Sequence, residues 1–513
     1  MSTKNTQLAN SLKDEGNVLF TQKKFAQADA KYTKALGADD TIAVIWANRA
    51  ACRLSTRRYI DAIYDATKAT EIDPQYSKAH ARVATGYDAL NQPWHSIENW
   101  QKAIDSLSKD SLTPAEKTQK ASYEDSLAKA KSTRAILESP TKPKNFVVSP
   151  ASEDGAHPWD CASGILHELV AQGNHKSSAW LISNAYLEFK DGIDMMNMAT
   201  QTTARVGTIE QISNAVLKDF RCFHIRNQNF LQKYGVQTVS EADCFKGWKH
   251  GGPDVVKKEA LQRLQSEGWE KLRPALAITV RAWIMRGFFE GGLRGNYAGQ
   301  LEFLDNAINF IKWGQQEWKD VPTYDRGCIF EVTFLRAVQN LQFDGIAHLL
   351  GTIFNDPAYR SDILEKILKQ ADEVIESVDS APLPPYTGPE GPSWRLAFFD
   401  YVKGHAYAGK VKLYEDAGHM YVRAAECFPD DDENHATYLA CAMTNLIKSK
   451  VRISIMLEVI QQIKTTVPKM MRIWRNSATM KQGGGELFSL VLEWERGLRE
   501  KVARGVVENV PQK

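Results

Sequence analysis

The sequence predicts an all-α protein, and three observations support this. A period of about 34 residues runs through the first hundred or so positions. Apolar residues recur at helical intervals through most of the remaining chain, and the strict alternation typical of strands is absent. With 513 residues, of which 43% are hydrophobic and 25% charged, the composition is that of a folded globular chain long enough for more than one domain.

The 34-residue period is defined by small and aromatic residues in a fixed register. The first unit contains Leu12, Gly16, Ala28, Tyr32 and Ala35. A shift by one period gives Trp46, Ala50, Ala62, Ala66, Ala69 and Pro74, and a second shift gives His80, Ala84, Tyr87, Trp100 and Ala103. Small residues at these positions allow two helices to cross closely, as they do in a helix-turn-helix repeat. We therefore predict three units that start near Ala9, Ala43 and Ser77.

A repeat array needs a polar-backed helix to close its last apolar face. Thr113, Pro114 and Glu116 form a capping box with proline at the first helical position. The helix that follows is rich in Lys and Ala and is expected to run to about Leu137. These features predict a closing helix for the array.

Polar side chains occupy the face of each unit's first helix that is expected to line a groove. They are Lys13 and Asn17 in the first unit, Asn48 in the second, and Lys78 and Arg82 in the third. Lys13 and Asn17 are one helical turn apart, as are Lys78 and Arg82. Cationic groups and amides converging on one groove are suited to hold the carboxylates at the end of an extended peptide.

These five residues resemble the carboxylate clamp of tetratricopeptide-repeat co-chaperones, such as the N-terminal module of the heat-shock organising protein family. The resemblance implies binding of the C-terminal Glu-Glu-Val-Asp of seventy- and ninety-kilodalton heat-shock chaperones. It also implies that Lys13, Asn17, Asn48 and Lys78 hold the terminal carboxylates while Arg82 contacts the peptide nearby. The resemblance ends near residue 137.

The expected domain organisation follows from proline-rich breaks. Residues 1–137 form the repeat domain, and residues 138–158, which contain four prolines, form a linker. Residues 159–505 are expected to form a larger helical domain of degenerate repeats, with a proline-rich break at 381–392 and a tail at 506–513. A plain helical bundle remains the alternative for this domain. Its predicted helices are Ser163–Val170, Ser178–Lys190, Ile209–Tyr234, Val255–Ser266 and Pro274–Gly287, and repeat-like tracts surround 283–310 and 404–429.

Several function classes receive no support from the sequence. The net charge of +2 gives no reason to expect a nucleic acid or a membrane surface as partner. His167 and Glu168 begin a zinc-protease pattern, but Ala171 stands where its second histidine belongs. The seven cysteines include no C-x-x-C pair, and the glycines between Gly287 and Gly299 follow a predicted helix, which is the wrong context for a phosphate loop. We expect no catalytic site, no metal and no cofactor.

The sequence therefore predicts a non-enzymatic adaptor that binds the acidic tails of heat-shock chaperones and recruits a second protein through its C-terminal domain. The start of the chain lacks the apolar core of a signal peptide, and no run of eighteen apolar residues occurs, so a cytoplasmic or nuclear location is expected. Two alternatives stay open. One is a general peptide-binding scaffold without a chaperone link, and the other is an enzyme with its site in residues 160–505.

Overall fold

The computed structural model describes residues 5–107, 112–138, 156–198, 205–225, 229–353, 356–380 and 417–509. Nearly all regular structure in these ranges is α-helical, which confirms the predicted fold class. The exceptions are short: two 3₁₀ turns, a π-helical turn at Met480–Gly484, and an antiparallel pair of two-residue strands, β1 (Val451–Arg452) and β2 (Glu508–Asn509). No helix in the described ranges is long and apolar enough to cross a membrane.

The helices are numbered in chain order. They are α1 (Thr6–Thr21), α2 (Phe25–Ala38), α3 (Ala43–Ser55), α4 (Tyr59–Ile72), α5 (Ser77–Ala89), α6 (Pro93–Asp105), α7 (Pro114–Glu138), α8 (Pro158–Ala171), α9 (Ser178–Met198), α10 (Thr208–Asp219), α11 (Phe230–Phe245), α12 (Pro253–Arg294), α13 (Tyr297–Glu317), α14 (Thr323–Arg326), α15 (Val332–Leu350), α16 (Pro357–Asp379), α17 (Ala417–Glu426), α18 (Glu433–Leu446), α19 (Ile453–Trp474) and α20 (Gly485–Ala503). They belong to two compact units. The first unit comprises residues 1–144 and 245–326, and the second comprises 145–244 and 327–513.

The first six helices form the three predicted helix pairs. Within each pair the helices cross closely because small residues lie at the crossing. A Cβ atom added at Gly16 would lie 2.6 Å from the ring of Tyr32, so this glycine allows Tyr32 to approach α1. Ala35, Ala69 and Ala103, at matching positions of α2, α4 and α6, are fully buried. The predicted register of the repeats is therefore the register of the folded array.

The closing helix begins where the capping box predicts. The backbone amide of Thr113 donates to the Glu116 carboxylate at 2.8 Å, and the Glu116 amide donates back to the Thr113 hydroxyl at 3.3 Å. The helix then covers the last pair, where Trp100 packs against Tyr123 with ring centroids 5.4 Å apart. The buried residues of α7 that face this pair are Leu127 and Ala130.

The first unit also contains residues 245–326, whereas the sequence predicts them as part of one later domain at 159–505. Their main feature is a hairpin of α12 and α13 joined at Gly295, whose positive φ of 66° ends α12. Long-range polar contacts explain the grouping: the Arg58 guanidinium lies 2.6 Å from the Asp254 carboxylate, and the backbone amide of Ile60 donates to Glu302 at 2.5 Å. These partners are far apart in sequence and carry no local signature.

Residues 253–294, labelled α12, consist of two helical segments that meet at a kink. The sequence predicts two helices, at Val255–Ser266 and Pro274–Gly287, and the non-helical backbone of Gly268 divides α12 between these two ranges. There φ is 72° and ψ is 175°, a conformation that favours glycine. Pro274 lies inside the helix, six residues beyond this break.

In the second unit, α8 and α9 confirm the predicted helices at Ser163–Val170 and Ser178–Lys190. The single helix predicted over Ile209–Tyr234 is wrong, because α10 ends at Asp219 and α11 begins only at Phe230. The Asp219 carboxylate accepts the backbone amide of Arg221 at 3.0 Å and starts a 3₁₀ turn over Phe220–Cys222. The Arg221 side chain then pairs with Asp432 at 2.8 Å. This buried pairing holds the turn and overrides the helical pattern.

Some expectations fall on residues outside the described ranges. Of the predicted linker at 138–158, only Glu138 and residues 156–158 are described. The predicted break at 381–392 and the beginning of the repeat-like tract at 404–429 are outside them, while α17 belongs to the end of that tract. Residues 506–509 of the predicted tail are described and include β2.

Candidate functional site

The five predicted site residues lie on the first helices of the three repeats: α1, α3 and α5. We call this set the clamp cluster; its members are Lys13, Asn17, Asn48, Lys78 and Arg82. Lys78 is exposed and the other four are partly buried. The structure joins Asn17 and Asn48 directly by a hydrogen bond.

The two asparagines form a small network with one tyrosine. The Oδ1 atom of Asn17 accepts the hydroxyl of Tyr32 at 2.7 Å and the Nδ2 group of Asn48 at 3.0 Å. Two donors on Oδ1 fix the orientation of the Asn17 amide, and its Nδ2 group is left to donate elsewhere. Burial raises the pKa of Tyr32 to about 12, although the nearby Arg82 acts to lower it. Tyr32 therefore stays protonated and keeps donating.

The cations of the clamp cluster carry little local compensation. The Nζ atom of Lys13 donates to Asn10 at 2.9 Å, and the Asp14 carboxylate lies 3.5 Å away with a 70% exposed side chain. The Nη1 atom of Arg82 is buried and has no hydrogen-bond partner among the described residues. A buried guanidinium donor without a partner is costly, and an anionic ligand would satisfy it.

Tyr32 contacts the candidate site, although sequence reasoning assigns it only to packing. Its ring fills the space opposite Gly16, as the repeat pattern predicts, but its hydroxyl also reaches the polar face of α1. A periodic pattern records which face a residue occupies and gives no sign of where a terminal hydroxyl points. The available signal was chemical: phenylalanine would fill the same space, so a buried tyrosine calls for a hydrogen-bond partner.

A second group of charges in the first unit has the opposite character. We call it the arginine network; its members are Asp29, Arg49, Arg53, Arg58, Asp61, Asp65 and Asp254. Arg49 binds the fully buried carboxylate of Asp65 through two nitrogens at 2.7 and 2.8 Å, and Arg53 reaches the same carboxylate at 3.0 Å. Arg58 lies within ion-pair distance of Asp29, Asp61 and Asp254. Every arginine here has a carboxylate partner, so the network is suited to support the fold.

The ranges that the structure describes contain no set of side chains arranged as metal ligands. No group of three or more His, Cys, Asp or Glu side chains there is arranged to hold a metal ion. His167 and Glu168 lie on α8, where Glu168 pairs with Arg472 at 2.6 Å. The clamp cluster is the best-defined candidate site, and its cations and amides are suited to hold an anion.

Comparisons with known proteins confirm the predicted resemblance to tetratricopeptide co-chaperones. The chain is 35% identical over 109 residues to the small glutamine-rich tetratricopeptide repeat-containing protein 2 of Saccharomyces cerevisiae, a match covering 21% of this chain and 31% of that protein. It is 39% identical over 83 residues to the heat shock protein sti1 homolog of Schizosaccharomyces pombe, covering 16% and 14%. The chain thus matches less than a third of either relative. No family model matches it.

One solved structure similar to this chain is the second repeat domain of the human RPAP3 protein in complex with the HSP70 peptide SGPTIEEVD. It is 28% identical, the match covers 24% of this chain and 96% of that domain, and the TM-score is 0.22. A score this low supports no conclusion about this chain.

Proposed function

We propose that the protein is an adaptor whose clamp cluster binds the acidic C-terminal tail, of the Glu-Glu-Val-Asp type, of seventy- and ninety-kilodalton heat-shock chaperones. Residues 1–137 would supply the binding surface. The second unit would hold another protein partner, since an adaptor needs two attachments. The proposal places the protein in the cytoplasm or the nucleus and assigns it no catalytic role.

The observation that carries the proposal is the unsatisfied donor set of the clamp cluster. The exposed ammonium of Lys78, the buried Nη1 of Arg82 and the Nδ2 group of Asn17 are all donors with no carboxylate partner among the described residues. A peptide end carries two carboxylates when its last residue is aspartate, and both are acceptors only. The donors on α1, α3 and α5 complement that ligand in charge and in hydrogen-bonding character.

The kind of partner is supported by the relatives rather than by geometry alone. One of them is named a heat shock protein and the other a tetratricopeptide repeat protein. We expect modest affinity, because a few charge-assisted contacts at an open site correspond to roughly micromolar dissociation constants. The affinity should fall with added salt, which screens exposed charges.

The experiment is a calorimetric titration of the full chain with two peptides that both end in Glu-Glu-Val-Asp, one with a free C-terminal carboxylate and one amidated. Only the free acid is expected to bind. Lys13→Ala and Arg82→Ala should each abolish this binding while leaving the helical circular dichroism unchanged.

Lys34→Ala provides the matched control. Lys34 is an exposed lysine on α2, in the same repeat as Lys13 but outside the clamp cluster. Its loss changes net charge by the same amount and should leave the affinity unchanged. Equal binding of the amidated peptide would support the general scaffold instead, and equal loss in all three variants would point to non-specific attraction.

A further inference from the structure

The second unit contains a cavity that the adaptor function does not use. Its volume is about 460 Å³, and it lies between α9, the segment 223–225 and the beginning of α11. Four rings line it, those of Tyr186, Phe189, His224 and Phe230. Cavities of roughly 300–1,000 Å³ are the usual size for small-molecule sites in proteins.

We call the four lining rings the aromatic wall. Neighbouring rings hold this wall in place, so it is preformed. The indole of Trp159, only 3% exposed, stacks on Tyr186 at 4.7 Å with an interplanar angle of 10°. It also stacks on His224 at 4.8 Å, and Phe189 packs against His224 at 5.2 Å. Rings held by several neighbours lose little conformational entropy when a ligand arrives, which favours binding.

The charged groups of the lining leave one lysine without a carboxylate. Lys190 pairs with Asp194 at 2.6 Å, so these two charges offset each other. Lys233, which is half-buried, donates to the neutral Oδ1 of Asn197 at 3.1 Å, and no carboxylate in the described ranges pairs with it. The Nδ1 atom of His224 lies 3.1 Å from the backbone carbonyl of Cys222. The lining thus combines four aromatic rings with a lysine that no described carboxylate compensates.

We propose that this cavity binds a small anionic ligand with a planar aromatic body. The ring of the ligand packs against the aromatic wall, where stacked and edge-to-face contacts each stabilise the complex. Its acidic group pairs with the Lys233 ammonium, a charge-assisted contact in a partly desolvated position. The site is independent of the clamp cluster, so it stands or fails separately from the chaperone-tail proposal.

The test uses two fluorescent probes with the same aromatic body. 8-Anilinonaphthalene-1-sulfonate carries an acidic group, and N-phenyl-1-naphthylamine lacks it. Both should bind the full chain, the sulfonate more tightly. Lys233→Met should weaken sulfonate binding about tenfold, the size expected for a lost charged hydrogen bond, and leave the neutral probe unchanged. Tyr186→Ala should weaken both.

Two further variants keep the result interpretable. Lys233→Arg preserves the charge and should keep most of the sulfonate affinity, which guards against a loss caused by misfolding. Lys448→Met removes an exposed lysine of the same unit outside the cavity and should change nothing. The proposal is overturned if neither probe binds the native chain, if Lys233→Met leaves sulfonate binding intact, or if it weakens both probes equally.

Discussion

The clamp cluster and the arginine network are built from the same repeats, yet their charges are handled in opposite ways. Asn48 and Arg49 are neighbours on α3, and the helix directs them about 100° apart. Asn48 joins Asn17 in a cluster where Lys78 and Arg82 have no carboxylate partner among the described residues, whereas Arg49 enters a network in which every arginine is paired. The presence or absence of a carboxylate partner thus indicates whether a cation in this fold supports the structure or is available to a ligand.

This difference separates stability from binding within one array. A buried charge that loses its partner destabilises the fold, while an exposed donor without a partner contributes little to stability and remains available to a ligand. Substitutions in the network should therefore change the free energy of unfolding and substitutions in the cluster should change affinity. The following variants test that division, from the largest expected effect to the smallest.

The largest effect is expected from Asp65→Ala. It leaves Arg49 and Arg53 buried without their shared carboxylate, and breaking such a pair costs about 3–5 kcal/mol. Hydrogen exchange of the α3 and α4 amides would measure the loss in the first unit. Glu98→Ala is the control, since its pair with Lys102 is exposed on both sides and should contribute less than about 1 kcal/mol. Similar losses in the two variants would remove the distinction between network and surface pairs.

A smaller effect is expected from Lys78→Ala, and it should lower peptide affinity instead of stability. The ammonium is exposed and has no ion-pair partner in the described part of the chain, so the free energy of unfolding should stay within about 0.5 kcal/mol of the native value. Affinity for the free-acid peptide should fall at least about tenfold, as for a lost charged hydrogen bond. On the same preparation, calorimetry measures the peptide affinity and hydrogen exchange measures the free energy of unfolding. A stable variant that binds normally would remove Lys78 from the site.

Tyr32→Phe should slightly lower both the free energy of unfolding and the affinity for the peptide. The ring still fills the space opposite Gly16, but Asn17 loses one of the donors that orient its amide. We expect a loss of about 1 kcal/mol in stability and a fall in peptide affinity of about fivefold. Because the variant removes no charge, the salt dependence of binding should keep its slope. A change in that slope would show that Tyr32 acts through the charges and not through the amide.

The last and most local test concerns a carboxylate that no arginine of the network holds. Glu302 accepts the backbone amide of Ile60, and burial, followed by the nearby Asp61, raises its pKa well above 4.5. The folded state then holds a proton that the unfolded chain releases, so stability should fall as the pH rises from about 4.5 through the raised pKa. Exchange of the Ile60 amide against pH would report this fall. Glu302→Gln keeps an acceptor and should flatten the profile; an unchanged slope would assign the titration to another group.

Local patterns were sufficient to predict the repeat array and the helix faces on which the clamp cluster lies. Gly16, Ala28 and Tyr32 fix the helix crossing, and the crossing fixes which side of α1 carries Lys13 and Asn17. The start of α7 could be predicted for the same reason, since the bonds between Thr113 and Glu116 span only three residues. In each case the residues that decide the structure lie within one repeat of each other.

The remaining features depend on partners that lie far away in sequence. Arg58 and Asp254 are separated by 196 residues, and nothing near either one indicates the other. The end of α10 at Asp219 similarly depends on Arg221 meeting Asp432, 211 residues later. The cavity lining could not be predicted from the sequence for a related reason. Lys233 resembles any other lysine on a helix until the position of its partner Asn197 is known.

The discontinuity of the first unit sets an order of events during synthesis. Arg58 leaves the ribosome long before Asp254, and at roughly 5–20 residues per second the delay is on the order of 10–40 s. During that interval the nascent repeats carry an arginine that still lacks one of its three carboxylates, while Lys13, Asn17 and Asn48 are already made. A messenger truncated before codon 254 would therefore yield a chain with a complete set of clamp residues and an incomplete electrostatic support.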